Sequence, residues 1–362
     1  MWPFLPLAPG KAAALRDVGA RDPHARVRAL QALANAAHDD VDYRAQAVIA
    51  AERALQDPVA GVRSAACVAL ADLGCGSAQS SMLLMLDDAH GHVRQMALSA
   101  LGEVGDSRAI ARIARLLADP RPEMRYQSLL AFVRLETDNR ERLRVIALGL
   151  GDADADLRYI AARLLEEHCR GLCSIDAPRV QALAVQAFAD ADVAVALAAA
   201  FTAARGGHAT ARDAVLKVTD VGTLRGQAVP KEDEAFAVEL VGELGLIAAI
   251  PHLRRRAFGL ARRVRDTCAM HATIALARLG QPDGIQAILA ALRSADPEMR
   301  SRAIVMAGRG IRRVDCPQID AELARLQGLV PAAILAEALE LLNAQTSVSA
   351  AAPTDHGGAV TP

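Results

Sequence analysis

The segment DPRPEMR, Asp119 to Arg125, decides the fold, because the chain spells altered copies of it along most of its length. Its last four letters return unchanged at Pro297–Arg300. Aligned on the closing arginine, the copies follow one another at intervals of 31 to 38 residues. A regular interval of this size predicts an array of structural repeats. The aligned anchor positions are Arg28, Arg63, Arg94, Arg125, Arg158, Ala196, Glu234, Arg265 and Arg300.

The stretch around and after each anchor has the period of an amphipathic helix. In the third copy, apolar residues recur three and four positions apart as Val93, Met96, Ala97, Ala100, Leu101 and Val104. Gly105 follows as a C-terminal stop, and Gly74 and Gly245 stand at the same offset, eleven residues past their anchors. Three residues past the anchor the side chain is small in every copy except the first, which has Gln31. A small residue at this position predicts close contact between neighbouring helices.

A second amphipathic segment precedes each anchor, as in SRAIARIARLLAD, Ser107 to Asp119. Two helices per interval, with Asp or Pro at the turn between them, predict helical hairpins that stack in series. We therefore expect an all-α fold, an α-solenoid (superhelix) of about nine helical-hairpin repeats.

The recurring phrase D-P-x-x-x-V-R-x-x-A, over roughly residues 20 to 310, resembles HEAT repeats, in particular the bacterial subset known as PBS-lyase HEAT-like repeats. The resemblance implies that the turn aspartate and the anchor arginine hydrogen-bond along the stack as structural residues. Ala196 and Glu234 depart from the pattern, which puts the ladder in doubt there. The implied ladder consists of Asp57, Asp88, Asp119 and Asp152 with Arg63, Arg94, Arg125 and Arg158.

Four parts are expected along the chain: an N-terminal cap (1–20), the repeat array (21–314), C-terminal capping helices (315–343) and a disordered tail (344–362). Within the array, Val218 to Asp233 has little helical period and is interpreted as a long inter-helix loop. Such a loop is typical both of a functional site and of a repeat that has drifted.

Composition limits the kind of protein. Of the 362 residues, 52% are hydrophobic but only 3% aromatic, so alanine and leucine dominate, which favours close-packed helices. The formal charge of −1 gives no overall attraction to nucleic acid or to an acidic membrane. The N-terminus is a poor secretory signal, no apolar run is long enough to span a membrane, and the six scattered cysteines suggest reduced thiols. We therefore expect a cytoplasmic protein.

The side of each post-anchor helix that lies opposite its apolar stripe predicts a partner surface. In HEAT-like arrays this side typically lines the concave face, and two of the three tyrosines occupy the same position there in adjacent repeats. Aromatic and apolar residues beside an arginine are typical of a protein-binding anchor. The alternative is that neighbouring helices bury these side chains. The predicted contact residues are Tyr126, Leu130, Tyr159, Arg163, Leu197 and Phe201.

The stretch RRRAFGLARRVR, Arg254 to Arg265, is the second candidate surface. Its arginines could bind phosphate groups or an acidic partner, or they could pair with neighbouring carboxylates as a solvated surface. The predicted basic patch consists of Arg254, Arg255, Arg256, Arg262, Arg263 and Arg265.

Signals of catalysis are weak. His168, Cys169 and Cys173 stand in HCRGLC, but a tetrahedral zinc site needs four ligands, and no second cysteine pair occurs. No Gly-rich phosphate loop or nucleophile elbow is present. Phycobilin lyases share this repeat subset, whereas alkylpurine DNA glycosylases use a basic groove with tryptophans, and the single tryptophan here is Trp2. We therefore predict no catalytic residue, no metal and no cofactor.

These observations favour an interaction scaffold or adaptor that binds another protein on its concave face, and nucleic acid is not the expected partner. Two alternatives stay open. One is a lyase-type HEAT-like enzyme or enzyme subunit. The other is a binder of nucleic acid or phosphate through the Arg-rich C-terminal repeats.

Overall fold

The structure is a computed structural model, and it describes residues 10–37, 40–74, 79–105, 107–170, 177–259 and 268–349. Most of these residues are helical. The helices of the N-terminal half are α1 (Lys11–Asp17), α2 (Pro23–Ala36), α3 (Val41–Ala54), α4 (Ala60–Asp72), α5 (Gln79–Leu84), α6 (Gly91–Val104), α7 (Ile110–Leu116), α8 (Pro122–Leu135), α9 (Asn139–Leu150) and α10 (Ala155–Arg170).

The C-terminal half also contains two short strands, which pair antiparallel between α13 and α14 as β1 (Thr223–Leu224) and β2 (Gln227–Ala228). Thr223 lies opposite Ala228, and Leu224 lies opposite Gln227. The helices of this half are α11 (Ala177–Phe188), α12 (Val193–Arg205), α13 (Ala209–Val221), α14 (Lys231–Glu243), α15 (Ile250–Phe258), α16 (Ala269–Arg278), α17 (Pro282–Leu292), α18 (Pro297–Gly310), α19 (Ile319–Ala324) and α20 (Ala332–Ser349).

The chain divides into two compact units, Met1–Val180 and Gln181–Pro362. In the first unit, α1 packs on α2, α3 on α4, α5 on α6, α7 on α8 and α9 on α10. The even-numbered helices from α2 to α10 also pack on one another in series. This unit is therefore a stack of helical hairpins whose apolar core lies between its odd-numbered and even-numbered helices.

The second unit follows the same scheme. Helix α13 packs on α14, α15 on α16 and α17 on α18, while α12, α14, α16, α18 and α20 follow one another in series. The predicted all-α solenoid of helical hairpins is confirmed. Over the described residues, the post-anchor helices are the nine even-numbered ones from α2 to α18. We call these nine the anchor helices.

Two local signals of the sequence have the expected structural role. Gly74, Gly105 and Gly245 follow the ends of α4, α6 and α14 with positive φ angles of 59°, 82° and 65°, a conformation that glycine adopts readily. The small side chains predicted at helix contacts are buried, which allows close approach between helices. They are Ala66, Ala97, Ser128, Ala161, Ala199, Ala237, Cys268 and Ala303.

The anchor of the first repeat differs from the alignment. In the repeats that begin α4, α6, α8 and α18, the anchor arginine stands four residues after the helix N-cap. The N-cap of α2 is Asp22, so the equivalent residue is Arg26 and not Arg28. The small position three residues on is then Ala29, which is buried, and Gln31 is no longer an exception.

The anchor of the eighth repeat is also displaced. Gly280 follows α16 with a φ of 67°, and the other helix-ending glycines lie eleven residues past their anchors. The anchor position is therefore Ala269, four residues later in the sequence than Arg265. The packing agrees. A Cβ added to Gly102 would lie 3.2 Å from the Cα of Ala131, six residues past Arg125, and a Cβ added to Gly242 would lie 2.8 Å from the Cα of Ala275, six residues past Ala269. The run of arginines had offered a false match.

Two predicted boundaries also shift. Helix α20 continues to Ser349, beyond the predicted start of the disordered tail. Helix α13 continues to Val221, and the β-hairpin and α14 occupy much of the predicted loop Val218–Asp233. The predicted N-terminal cap is described from Gly10 onward and contains α1.

Candidate functional site

The predicted ladder between anchor arginines and turn aspartates is present in the first unit. The Arg63 guanidinium donates to both carboxylate oxygens of Asp88, at 2.7 and 2.8 Å. Arg125 donates to both oxygens of Asp152 at 2.8 and 2.7 Å. These hydrogen bonds hold the pKa of Asp88 and that of Asp152 below the usual range of a carboxyl group. Each pair fastens one hairpin to the next, so the role of these residues is structural.

Each anchor arginine also caps the turn of its own repeat. Its Nη1 donates to the backbone carbonyl six residues earlier, over 2.8 Å from Arg63 to Asp57 and 2.9 Å from Arg125 to Asp119. Arg26, the anchor of the first repeat, lies 2.7 Å from the Asp57 carboxylate and so begins the ladder. The guanidinium thus satisfies carbonyl groups that the turn leaves without a helical partner.

Asp119 pairs with an arginine of its own turn as well as belonging to the predicted ladder. Its carboxylate accepts two hydrogen bonds from Arg121 of the same turn, at 2.8 and 2.7 Å. This pairing lowers the pKa of Asp119 to about 2. Arg94, which the resemblance pairs with Asp119, donates to the backbone carbonyls of Asp88 and Ala89.

In the second unit, Glu234 reverses the charge at the anchor position. Its buried carboxylate accepts from Arg256 of α15 and from Lys231, both at 2.7 Å. The Arg256 Nε also donates to the backbone carbonyl of Thr219 at 2.6 Å. Burial raises the pKa of Glu234, but the two cations outweigh it and the net pKa lies below the ordinary value. Arg256 is therefore the buried counter-ion of Glu234, the acidic residue at this anchor position.

In the repeat whose anchor is Ala196, an arginine of the β-hairpin takes the place of the anchor arginine. The carbonyl six residues before Ala196 belongs to Asp190. Arg225, at the hairpin tip with a φ of 51°, donates to that carbonyl and, at 2.6 Å, to the carbonyl of Phe188. Its guanidinium also lies 5.8 Å from the centre of the Phe188 ring. The hairpin thus supplies the guanidinium that Ala196 lacks, which gives this segment a structural role.

Four of the predicted partner-contact residues lie on adjacent anchor helices of the first unit. Tyr126 and Leu130 are on α8, and Tyr159 and Arg163 are on α10. All four are partly exposed, and α8 packs on α10. The structure therefore brings these four residues to one pair of helices, and their contact with a partner stays a prediction.

The exposure predicted for Leu197 and Phe201 is wrong. Both residues are fully buried, and the Phe201 ring packs on that of Phe236 with their centres 4.7 Å apart. The physical reason is visible in α12, where every residue from Val195 to Ala204 is buried. A helix that is apolar all round is enclosed by its neighbours, so it offers no face to a partner.

The described part of the predicted basic patch is neutralised by carboxylates. Arg254 donates to Asp283 at 2.7 Å, and Arg255 pairs with Asp220. Arg256 is buried against Glu234, as described above. Arg254 and Arg255 therefore agree with the alternative, in which the arginines pair with neighbouring carboxylates as a solvated surface, whereas Arg256 is a core residue. The remaining members of the patch lie outside the described residues: Arg262, Arg263 and Arg265.

A polar cluster in the second unit was not predicted from the sequence. The Glu239 carboxylate on α14 accepts from His271 Nδ1 on α16 and from Arg309 Nη2 on α18, both at 2.5 Å. The side chain of Glu239 is only 11% exposed, whereas that of Arg309 is 41% exposed. The Glu239 carboxylate is therefore buried, and the Arg309 guanidinium lies between it and the solvent.

A second carboxylate on α14 lies between two arginines. Glu243 accepts from Arg205 of α12 at 2.6 Å and from Arg278 of α16 at 3.2 Å. The Arg205 guanidinium also lies 5.5 Å from the centre of the Phe236 ring. In the sequence, Arg205, Glu243 and Arg278 share one feature, which is that each stands nine residues past the anchor of its helix. The offset is the same for all three only when the anchor of α16 is Ala269.

The remaining candidates for chemistry are the histidine and cysteine side chains. In the part of the chain that the structure describes, no group of three His, Cys, Asp or Glu side chains is placed to hold a metal ion. His168 lies on α10, and Cys173 lies outside the described residues. Burial raises the pKa of the Cys67 thiol to about 12, so it is a poor nucleophile. In the same stretches, no helix combines the length and the hydropathy needed to cross a membrane.

Comparisons with known proteins agree with the fold. Residues 80–166 match the family model of HEAT repeats. No curated protein matches the sequence.

Solved structures of helical proteins are similar at low identity. The complex of CpcE and CpcF of phycocyanin lyase from Nostoc matches with 17% identity over 77% of this chain and 99% of that chain, with a TM-score of 0.42. YibA of Escherichia coli matches with 14% identity over 75% and 92%, with a TM-score of 0.49. An engineered protein matches with 17% identity over 92% and 98%, with a TM-score of 0.37. At these values, none of the three tells what this chain does.

Proposed function

We propose that the chain is a scaffold or adaptor that binds another protein through the exposed side of its anchor helices. The observation that supports this most is the placement of Tyr126 and Tyr159. Each directly follows the anchor arginine of its helix, and the two helices, α8 and α10, are adjacent. Both tyrosines are partly exposed. Tyrosines supply a large contact area with few rotatable bonds, which is why they are common at binding hot spots.

The proposed contact, which we call the tyrosine surface, also includes Leu130 and Arg163. These residues stand four positions after Tyr126 and Tyr159, so each lies on the same side of its helix as the tyrosine. Two aromatic rings, an aliphatic side chain and a guanidinium match the composition of protein interfaces, where tyrosine and arginine are enriched. No catalytic residue is part of this proposal.

We place this binding in the cytoplasm. The described cysteines Cys67, Cys268 and Cys316 are buried free thiols. Thiols of this kind persist in a reducing compartment.

The test compares the full chain with the double variant Tyr126→Ala, Tyr159→Ala. Partners are captured from a lysate of the source organism and quantified by mass spectrometry, and the recovered partner is then titrated by calorimetry. We expect the affinity to fall by about 30-fold or more, because each hot-spot aromatic contributes at least about 1 kcal/mol.

Two control variants separate binding from folding. The double variant Tyr126→Phe, Tyr159→Phe keeps both rings and should retain most of the affinity. Gln95→Ala changes the equivalent position on α6 and should have little effect. Undiminished capture by the double alanine variant, with unchanged circular dichroism and melting, rules out the tyrosine surface.

A further inference from the structure

A row of charged side chains crosses the anchor helices of the second unit. Each member stands nine residues past its anchor, with one member on each of α12, α14, α16 and α18. Three positive charges stand against the negative charge of Glu243 in the row and that of Glu239 beside Arg309, so the row keeps a net positive charge. We call it the basic row, and it consists of Arg205, Glu243, Arg278 and Arg309.

The arginines of the basic row are held in defined positions. Arg205 and Arg278 both donate to the Glu243 carboxylate, at 2.6 and 3.2 Å. Arg309 is held by the recessed Glu239, which is also bonded to His271. Fixing a guanidinium before a ligand arrives reduces the entropy lost on binding.

Arg309 can donate hydrogen bonds to a further carboxylate. Its side chain is 41% exposed, and a guanidinium carries five N–H donors. Among the described residues, only its Nη2 has a carboxylate partner, and that partner, Glu239, lies on the buried side. The outward donors therefore suit the two oxygens of an incoming carboxylate.

The basic row is not a general consequence of the repeat. In the first unit, the same offset carries three acids and one arginine, and that arginine, Arg134, lies 3.8 Å from Glu103. All members of that row are exposed, namely Asn35, Asp72, Glu103, Arg134 and Glu167. The opposite charge at equivalent positions means that the cations of the second unit are a property of this surface alone.

We propose that the basic row binds an acidic segment of a partner protein through the carboxylates of that segment. A guanidinium pairs with phosphate as well as with carboxylate, so the choice between nucleic acid and an acidic segment depends on base stacking. Nucleic acid fits less well because stacking lacks a platform here, since Phe201 is buried and Arg205 covers the ring of Phe236. This surface lies in a different unit from the tyrosine surface, so it goes beyond the proposed function.

The test measures the fluorescence anisotropy of a labelled octaglutamate peptide titrated with the full chain. A labelled octaglutamine peptide is the neutral probe. We expect octaglutamate to bind and octaglutamine not to bind, and we expect added salt to weaken the binding because it screens exposed charges. The double variant Arg278→Gln, Arg309→Gln should weaken octaglutamate binding about tenfold or more.

Two further variants keep the test independent of folding defects. Arg254→Gln removes an exposed arginine that also pairs with a carboxylate, but on the odd-numbered helix α15, so binding should change less than about twofold. Glu243→Gln removes the negative charge of the row and releases Arg205 and Arg278. It should tighten octaglutamate binding about threefold, a gain that misfolding does not produce.

Three outcomes overturn the proposal. Octaglutamate fails to bind, or Arg254→Gln weakens binding as much as the double variant does, or labelled oligothymidine binds the row more tightly and displaces the peptide. The last result assigns the row to phosphate instead. Tyr126→Ala with Tyr159→Ala should leave octaglutamate binding unchanged, so this surface and the tyrosine surface are tested separately.

Discussion

The two units meet the same structural need with different side chains. In the first unit, anchor arginines such as Arg63 cap their own turn and pair with the aspartate of the next. In the second unit, the anchors Ala196 and Glu234 provide no guanidinium, and Arg225 and Arg256 reach these positions from other elements. At these two junctions the guanidinium therefore comes from another sequence position than in the first unit.

The replacement is more deeply buried than the original. The side chains of Arg256 and Glu234 are 10% and 4% exposed, compared with 17% and 15% for Arg125 and Asp152. A buried charge that loses its partner is strongly destabilising, because the remaining charge stays desolvated. Equivalent substitutions should therefore cost more in the second unit than in the first.

The largest effect is expected for Arg256→Met. The change leaves Glu234 buried with Lys231 as its remaining cation and removes the donor to the Thr219 carbonyl. We expect the free energy of unfolding to fall by about 3–5 kcal/mol, measured by urea denaturation followed by circular dichroism. Arg255→Met, on the exposed side of the same helix, should change it by less than about 0.5 kcal/mol. If the two variants are equally stable, the pair with Glu234 is not a structural element.

The corresponding change in the first unit, Arg125→Met, should be milder. It removes the bidentate pair with Asp152 and the cap on the Asp119 carbonyl, but water can still reach the carboxylate. We expect a loss of about 2 kcal/mol in the same denaturation experiment. Arg144→Met breaks an exposed pair with Glu141 and serves as the control, with a loss of at most about 0.5 kcal/mol. A loss as large as that of Arg256→Met contradicts the proposed difference between the units.

Close helix approach gives a third comparison. A Cβ at Gly242 would lie 2.8 Å from the Ala275 Cα in the second unit, whereas one at Gly102 would lie 3.2 Å from the Ala131 Cα in the first. Gly242→Ala should destabilise by about 1.5 kcal/mol, because the clash with backbone exceeds the gain in helix propensity. Gly102→Ala should cost less. Gly61→Ala, which meets nothing within 4 Å, should stabilise α4 slightly, and thermal melting ranks all three.

The fold followed from the sequence because its signals recur. The period of small residues and helix-ending glycines identified the hairpins, although one copy alone would have been weak. The errors came from single matches: Arg28 and Arg265 fitted the letters of the pattern but not its position relative to the helix ends. Helix caps and glycine conformations depend on backbone geometry, so they fixed the anchors at Arg26 and Ala269.

The candidate sites were less predictable, because exposure depends on what packs around a helix. The same offset leaves Tyr126 and Tyr159 partly exposed but buries Leu197 in α12, whose apolar residues occupy its whole circumference. The contact between Glu239 and Arg309 joins residues 70 positions apart on helices α14 and α18. Neither spacing nor composition indicates such a pairing, so the basic row emerged only from the structure.

The smallest effect tests whether Arg225 replaces the missing anchor arginine. Arg225→Ala removes the donors to the Phe188 and Asp190 carbonyls, and we expect a loss of about 1 kcal/mol in the free energy of unfolding. Ala196→Arg should also destabilise, because Ala196 is fully buried and Arg225 already serves the Asp190 carbonyl. In the double variant, the new arginine can take that carbonyl, so the loss should be smaller than the two single losses combined.

A double-mutant cycle in urea measures this coupling between Ala196→Arg and Arg225→Ala. We expect a coupling free energy of at least about 0.5 kcal/mol in the stabilising direction, the size found for residues that share a partner. Lys217→Ala, an exposed change on α13, should show no coupling with Ala196→Arg. Strict additivity of the two changes would mean that Arg225 and the anchor position act independently. The guanidinium would then not be interchangeable between them, and the comparison between the units would hold only for Glu234 and Arg256.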